Sequence, residues 1–456
     1  MTQSTVKKIA HGVAWTSLSS FLVKVIGLVY TAVVLSQISV YDYGLVELAM
    51  SMLPILGVFS LAGLQPVMVA DLVSHKMKSD FYKMRYQFSS FVSLKILLGI
   101  FAFLILNTLV FFFKDSFPTV AVTMVQVLSF VFFAGPIRAS VVLLYTIYHR
   151  FDVLAHFKLI EELFKLLLVS MFLIYMDLGP LGVVLAFVIT DFVVMLVYLP
   201  GALLLAPKYF NGMPWSIEGI ANPMFAVRHH AKWSVFQSSL HQAGQNIRPW
   251  IIQFFLGTQA VGIYAVAMGL FQHSQSLAPV TKVLAPIVPE FKEEPKRLFR
   301  LLNNGLKYQI LLLIIIVGGS TLFLPLLFSH FFPGYIAALP LFFLLAFALI
   351  PDSFAKVYEA AFHTFRLQKS LFLANIVRMV SILIVLPLCV LVFGLYGVAL
   401  EVFITLSVYA YSRYRVLKRK LPDYSFSARD LYTVNGIDRM LFAKIMRLLT
   451  LRNRRS

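Results

Sequence analysis

Charge is scarce in this chain. Asp, Glu, Lys and Arg make up 13% of its 456 residues, against roughly 25% in a soluble domain. Cysteine is scarcer still: Cys389 is the only one, which excludes a disulfide framework. No Gly-rich phosphate loop ending in Lys-Ser/Thr is present, so a built-in ATPase of that type is excluded. Metal-ligand spacing is missing as well, because His229-His230 are adjacent and fall on different faces of any helix. The longest polar connection, from about Pro207 to Ala231, is too short to fold by itself. What remains is apolar: 60% hydrophobic residues, 43 of them Phe, and a mean hydropathy of +0.84. Apolar runs near the ~20 residues a bilayer-crossing helix needs recur along the whole length, whereas a β-barrel would show short alternating strands. The chain is read as an all-α, polytopic membrane protein.

Twelve spans are expected, at about 12–37, 43–70, 87–112, 119–147, 154–176, 180–206, 232–256, 260–287, 308–330, 336–362, 371–392 and 395–412. With the N-terminus in the cytoplasm, the cytoplasmic connections and tail hold 28 of the 39 Lys and Arg, and the exoplasmic ones hold only Lys114. That asymmetry is the positive-inside pattern, and it predicts both termini cytoplasmic in the cell membrane. It also explains the net charge of +19 without nucleic acid, whose binders carry charge as a patch on a folded domain. No cleavable signal peptide is expected, since the first apolar run is long and interrupted by Lys24. Residues 413–456 carry a net +9, and Leu431, Val434, Ile437, Leu441, Ile445 and Leu448 recur at steps of three and four. This tail is expected to lie as an amphipathic helix on anionic membrane lipid.

A long internal repeat divides the chain. A shift of 218 residues places Trp15 on Trp233, Ser20 on Ser238, Gly44 on Gly262 and Met50 on Met268 without a gap. Both copies begin at a cytoplasmic connection, so they are parallel repeats about an axis normal to the membrane, an arrangement that encloses a cavity in several transporters. The expected parts are an N-lobe over 1–206, a cytoplasmic linker over 207–231, a C-lobe over 232–412 and the tail over 413–456.

The opening Gly12-Val-Ala-Trp15, the Tyr41-Asp-Tyr-Gly44 segment at the start of the second span and its echo Val261-Gly-Ile-Tyr264-Ala resemble the polysaccharide-transport branch of the multidrug/oligosaccharidyl-lipid/polysaccharide exporter superfamily. The resemblance covers about residues 5–415. It implies two pseudo-symmetric six-helix lobes around a central cavity, working by alternating access. It further implies a flippase that moves polyprenyl-pyrophosphate-linked oligosaccharide, such as an O-antigen unit, from the cytoplasmic to the outer leaflet. Other polysaccharide-assembly proteins are then the natural partners, and a proton or sodium gradient stands in place of any cofactor.

Ionisable groups inside the spans cost at least ~2.5–3.5 kcal/mol each at mid-bilayer and need a reason. Lys95, Lys356 and Arg378 fall near cytoplasmic ends and are expected to snorkel. Lys24 and Arg248 lie deeper, with Arg138 and Lys165 nearer the cytoplasmic half, and these four are the expected cavity cations for a pyrophosphate. Gln242, Gln245, Asn246, Gln272, His273 and Gln275 make spans seven and eight the most polar pair, suited to sugar hydroxyls or to polar packing between helices. Among the buried carboxylates, Glu47 and Asp191 are the expected ion-coupling groups, while Glu161, Glu162, Asp352, Glu359 and Glu401 can neutralise cations. Two other functions compete. An exporter of organic cations would want a cavity rich in acids, and a membrane glycosyltransferase or polymerase would want a large exoplasmic loop or a soluble catalytic domain.

The topology generates the first test. In a Cys389→Ser background, single cysteines within 76–86, 292–300 and 366–369 should resist a membrane-impermeant thiol reagent added to intact cells, and a cysteine at Lys114 should react. Labelling of the first three sets from outside overturns the orientation.

Overall fold

The protein is described by a computed structural model over residues 3–57, 63–116, 118–227, 231–278, 284, 287–291, 294–365 and 367–426. The expected tail helix over 427–450, His229-His230 and the side chains of Trp15 and Trp233 lie outside the described residues. Every regular element among the described residues is helical. The first six spans are built from α1 (Gln3–Gln37), α2 (Val40–Leu56) with α3 (Leu64–Met77), α4 (Phe81–Phe113), α5 (Thr119–Ser129) with α6 (Val131–Ile147), α7 (Phe151–Ser170) and α8 (Gly179–Phe210). A short α9 (Ile217–Ala221) follows. The second six use α10 (Ala231–Asn246) with α11 (Arg248–Leu256), α12 (Thr258–Leu277), α13 (Pro295–Phe331), α14 (Ala338–Ala346) with α15 (Leu349–Thr364), α16 (Gln368–Phe393) and α17 (Gly397–Lys420). Joined across their breaks they give the expected twelve spans, and α14 and α15 meet at a bend of 49°.

Local chemistry sets the ends of these helices. The Ser39 hydroxyl caps α2 by accepting from the Asp42 amide and donating to its carboxylate, satisfying one of the amides that a helix start leaves open. Asp80 caps α4 through the Lys83 amide and pairs with the Lys83 ammonium at 2.8 Å. That side-chain bond holds the partly exposed Asp80 carboxyl below its ordinary range. α8 runs on to Phe210, further than its expected end, and stops where Asn211 turns left-handed. The expected linker then folds back on α4. Ser90 donates to the Asn222 carbonyl and accepts from the Ala226 amide, and Arg85 donates to the Phe210 and Asn211 carbonyls.

The repeat is visible in the register of the helices. Val40 and Thr258 open α2 and α12, Val131 and Leu349 open α6 and α15, and Gly179 and Gly397 open α8 and α17; each pair is 218 residues apart. The symmetry becomes contact where α2 crosses α12. A Cβ on Gly44 would lie 2.2 Å from the Thr258 carbonyl oxygen, and one on Gly262 would lie 2.0 Å from that of Val40. Two equivalent glycines thus let two backbones touch, the close approach small residues allow between membrane helices. Around this seam the lobes share one core: Leu35 and Leu48 pack with Ile252, Tyr264 and Phe342. Tyr335 donates to the Ile38 carbonyl at 3.0 Å, and Trp250 donates to the Ser51 hydroxyl at 2.9 Å. Toward the other end the buried residues fall into two clusters, one around Leu72, Phe88 and Phe210 that also takes in Val235 of α10, the other around Leu302, Phe362 and Tyr424.

A side chain larger than hydrogen at this crossing must push the lobes apart. Gly44→Val and Gly262→Val should each cost about 1–3 kcal/mol, the usual penalty for overpacking, read as a lower Tm in detergent. Gly319→Ala, whose Cβ meets nothing within 4 Å, should leave Tm unchanged. Equal Tm values for all three variants would remove the seam as a constraint.

Candidate functional site

Lys24 stands at the boundary between the lobes. It projects half-buried from α1, and its ammonium donates to the Ser276 carbonyl at 2.7 Å, in the last turn of α12. A cation there suits the negative end of the α12 dipole. His273, half-buried, lies one turn earlier on the same helix. Lys24 has no carboxylate in ion-pair contact among the described residues, so its charge is met by backbone dipoles alone.

Inside the second lobe, α10, α11, α12, α15, α16 and α17 enclose a polar cavity of about 280 Å³. Gln245 and Gln272, both exposed, sit at its rim, and Gln275 lies further in. Four basic side chains line it. Arg248 uses its Nε and Nη2 to grip both oxygens of Glu401 at 2.8 and 3.0 Å, and Thr405 donates to the same carboxylate. The pair is enclosed, with 5% and 0% of the two side chains exposed. Arg413 bonds Glu359 at 2.9 Å and also reaches the Tyr409 hydroxyl. Lys356 pairs with Asp352 at 2.9 Å, and Gln275 donates to the same carboxylate. Arg378 differs. Its Nη1 meets the Nδ1 of His241 at 3.2 Å, its plane stands over the Tyr409 ring, and no described carboxylate is in ion-pair contact with it.

The first lobe holds a different cluster. Arg138, on α6, donates to both oxygens of Glu161 at 2.8 Å and forms a close bond with Asp191. Lys165 pairs with Glu162 at 2.7 Å and lies 5.4 Å from the centre of the Tyr30 ring. The expected cations are therefore not gathered at one place. Arg248 lines the second-lobe cavity and Lys24 does not; Arg138 and Lys165 are matched within the first lobe. Gln242 faces another cavity, of about 320 Å³, which it shares with Gln65 and Lys95. Asn246 is spent on the Gln242 carbonyl of its own helix. Asp191 is engaged by Arg138, whereas Glu47 has no hydrogen-bond or ion-pair partner among the described residues, one turn beyond Gly44.

Sequence reasoning misjudged two cations and passed over two neutral groups. Lys95 does not snorkel: it is 5% exposed and faces the cavity with Gln242. Arg378 turns inward rather than toward headgroups, because His241 and Tyr409 receive it. Asn375, which accepts from the Tyr409 hydroxyl at 2.9 Å, completes that wall. A signal was present in Asn375 and Arg378 at i, i+3, with Tyr409 and Arg413 at i, i+4, each pair on one helix face.

Comparisons place this geometry among known proteins. A model of a polysaccharide biosynthesis protein family matches residues 35–322, and no curated protein matches. The lipid II flippase MurJ in an inward closed conformation aligns over 91% of this chain and 88% of its own, with 14% identity and a TM-score of 0.71. A multidrug resistance MATE family transporter of the MOP superfamily, the multidrug/oligosaccharidyl-lipid/polysaccharide exporters, aligns in its inward-facing conformation over 87% and 96%, with 13% identity and a TM-score of 0.69. A MOP superfamily transporter from Pyrococcus furiosus, described as having reversed binding-pocket polarity, aligns over 91% and 96% with 14% identity and a TM-score of 0.61. The fold is that of the MOP transporters.

The Arg248–Glu401 pair gives a stability test. Arg248→Gln leaves Glu401 buried without its cation and should cost about 3–5 kcal/mol, a marked fall in Tm. The double variant Arg248→Met/Glu401→Leu should recover most of it, since an apolar replacement removes both charges. A normal Tm for Arg248→Gln would show that the pair does not anchor α11 to α17.

Proposed function

From the premise that this chain belongs to the polysaccharide biosynthesis protein family, we propose that it is a flippase for a polyprenyl-pyrophosphate-linked oligosaccharide. Translocation runs from the cytoplasmic to the outer leaflet of the cell membrane by alternating access. The observation that carries the reading is the family match over 35–322; the lobed fold and its polar interior support it. On the positive-inside orientation the seam faces outward, and on the cytoplasmic side the lobes meet through the Lys24–Ser276 bond and the packing of Val235. A lipid-linked headgroup would enter there, with its polyprenyl tail remaining in the bilayer.

Lys24 has the role of first contact for the pyrophosphate. It lies between the lobes, and among the described residues its hydrogen-bond partner is a carbonyl, which it can surrender to a phosphate oxygen for a stronger charge-assisted bond. Arg248, matched by Glu401, serves structure instead. Ion coupling is assigned to Glu47, a carboxylate beside the seam with no ion-pair partner among the described residues, in preference to Asp191, which Arg138 holds. Protonation or sodium binding there would change the charge at the surface that must open. Export of an organic cation is less well supported, because Asp352, Glu359 and Glu401 are already neutralised.

The test is flipping of a lipid-linked oligosaccharide in reconstituted vesicles, read beside Tm. Lys24→Gln should abolish flipping at unchanged Tm, and Lys24→Arg should keep part of it. Normal flipping by Lys24→Gln would refute the role of Lys24, and a parent protein that flips no such lipid would refute the function.

A further inference from the structure

Three of the four basic side chains lining the second-lobe cavity are answered by a carboxylate each: Arg248 by Glu401, Lys356 by Asp352 and Arg413 by Glu359. Arg378 is the fourth. Its nitrogen partner is a histidine, and because a guanidinium can only donate, His241 must accept at Nδ1 and stay neutral. The Arg378 Nε is enclosed without an acceptor. This wall of the cavity therefore carries one cation more than the acids around it cancel, and a buried polar group still lacking a bond.

We propose that this cavity is a subsite for a phosphate-type oxyanion, held by Arg378, and that its occupant is the diphosphate headgroup of the lipid-linked substrate. Charge decides against a metal cation, which would meet an unpaired guanidinium. Size decides against the sugar: about 280 Å³ is at the bottom of the ~300–1,000 Å³ range of ligand pockets, enough for a compact headgroup and too little for an oligosaccharide. The delocalised, weakly hydrated guanidinium suits phosphate oxygens. Access lies past Gln245 and Gln272 at the rim. The headgroup would pass from Lys24 at the lobe boundary into the second lobe, so the two cations act at successive positions. This assignment rests on the proposed substrate for its carrier, but its site is separate.

The experiment uses the full chain in detergent, with inorganic pyrophosphate as probe and Tm as readout. Pyrophosphate should raise the Tm of the parent protein. Its apparent affinity should fall at least tenfold in Arg378→Gln, fall less in Arg378→Lys, and stay within about twofold in Arg297→Gln, an exposed cation paired with Glu294 outside the cavity. Glucuronate, a carboxylate probe, should bind more weakly than pyrophosphate, and a polyprenyl diphosphate should compete with it. Should Arg378→Gln fail to fold, Arg378→Met and Arg378→Lys supply the comparison. Unchanged affinity in the Arg378 variants, no binding to the parent, tighter binding of glucuronate, or no competition by the lipid overturns the subsite. The two proposals separate cleanly. Pyrophosphate binding through Arg378 in a protein that flips nothing sinks the function, and flipping indifferent to Arg378→Gln sinks the subsite.

Discussion

Two helices that touch through glycine decide how this molecule is put together. At the crossing of α2 and α12 no side chain separates the backbones, because Gly44 faces the Thr258 carbonyl and Gly262 faces that of Val40. In lipid no hydrophobic force drives helices together, so association depends on how closely they pack. Everything that joins the lobes at this end, from the shared core around Tyr264 to the Tyr335 and Trp250 hydrogen bonds, depends on that approach.

The second organising fact is how charge is distributed once the bilayer removes water as a partner. Lys165 and Lys356 pair within their own helices, while three arginines have a carboxylate on a neighbouring helix: Arg138 joins α6 to α7 and α8, Arg248 joins α11 to α17, and Arg413 joins α17 to α15. Such pairs hold helices in register, and breaking one costs more than the pair contributes, since it strands the other charge. Lys24 and Arg378 stand apart because their partners are a carbonyl and an imidazole. Neither partner neutralises them, and that separates cations that build the lobe from cations that can receive an anion.

Much of the fold was legible in the sequence because its signals are long. Apolar runs, the alternation of basic loops and a gapless 218-residue repeat each integrate over many residues, so the helix count and the equivalence of Gly44 with Gly262 survive to the structure. The site was less legible. Depth along a helix could be estimated for Arg248, but its rotation toward Glu401, 153 residues away, is a tertiary fact that no local pattern carries. Lys95 and Arg378 were misplaced for the same reason: closeness to a helix end says how far a side chain could reach, not which way it faces. Breaks within spans were also hidden, as where α14 gives way to α15, because apolar composition continues through the bend.

The seam's position at one end of its helices makes it a lever. α12 has 20 residues, about 30 Å at 1.5 Å per residue, and its glycine contact lies in the first turn and a half. Rotation about that fulcrum moves Ser276, about 21 Å along the helix from Gly262, by about 0.4 Å for each degree. A tilt of roughly ten degrees thus carries Ser276 about 4 Å from α1, beyond the reach of any hydrogen bond, while the glycines barely slide. Motion of the size that admits a headgroup therefore needs only a slight roll of two backbones, and the molecule can gape at one end without coming apart at the other.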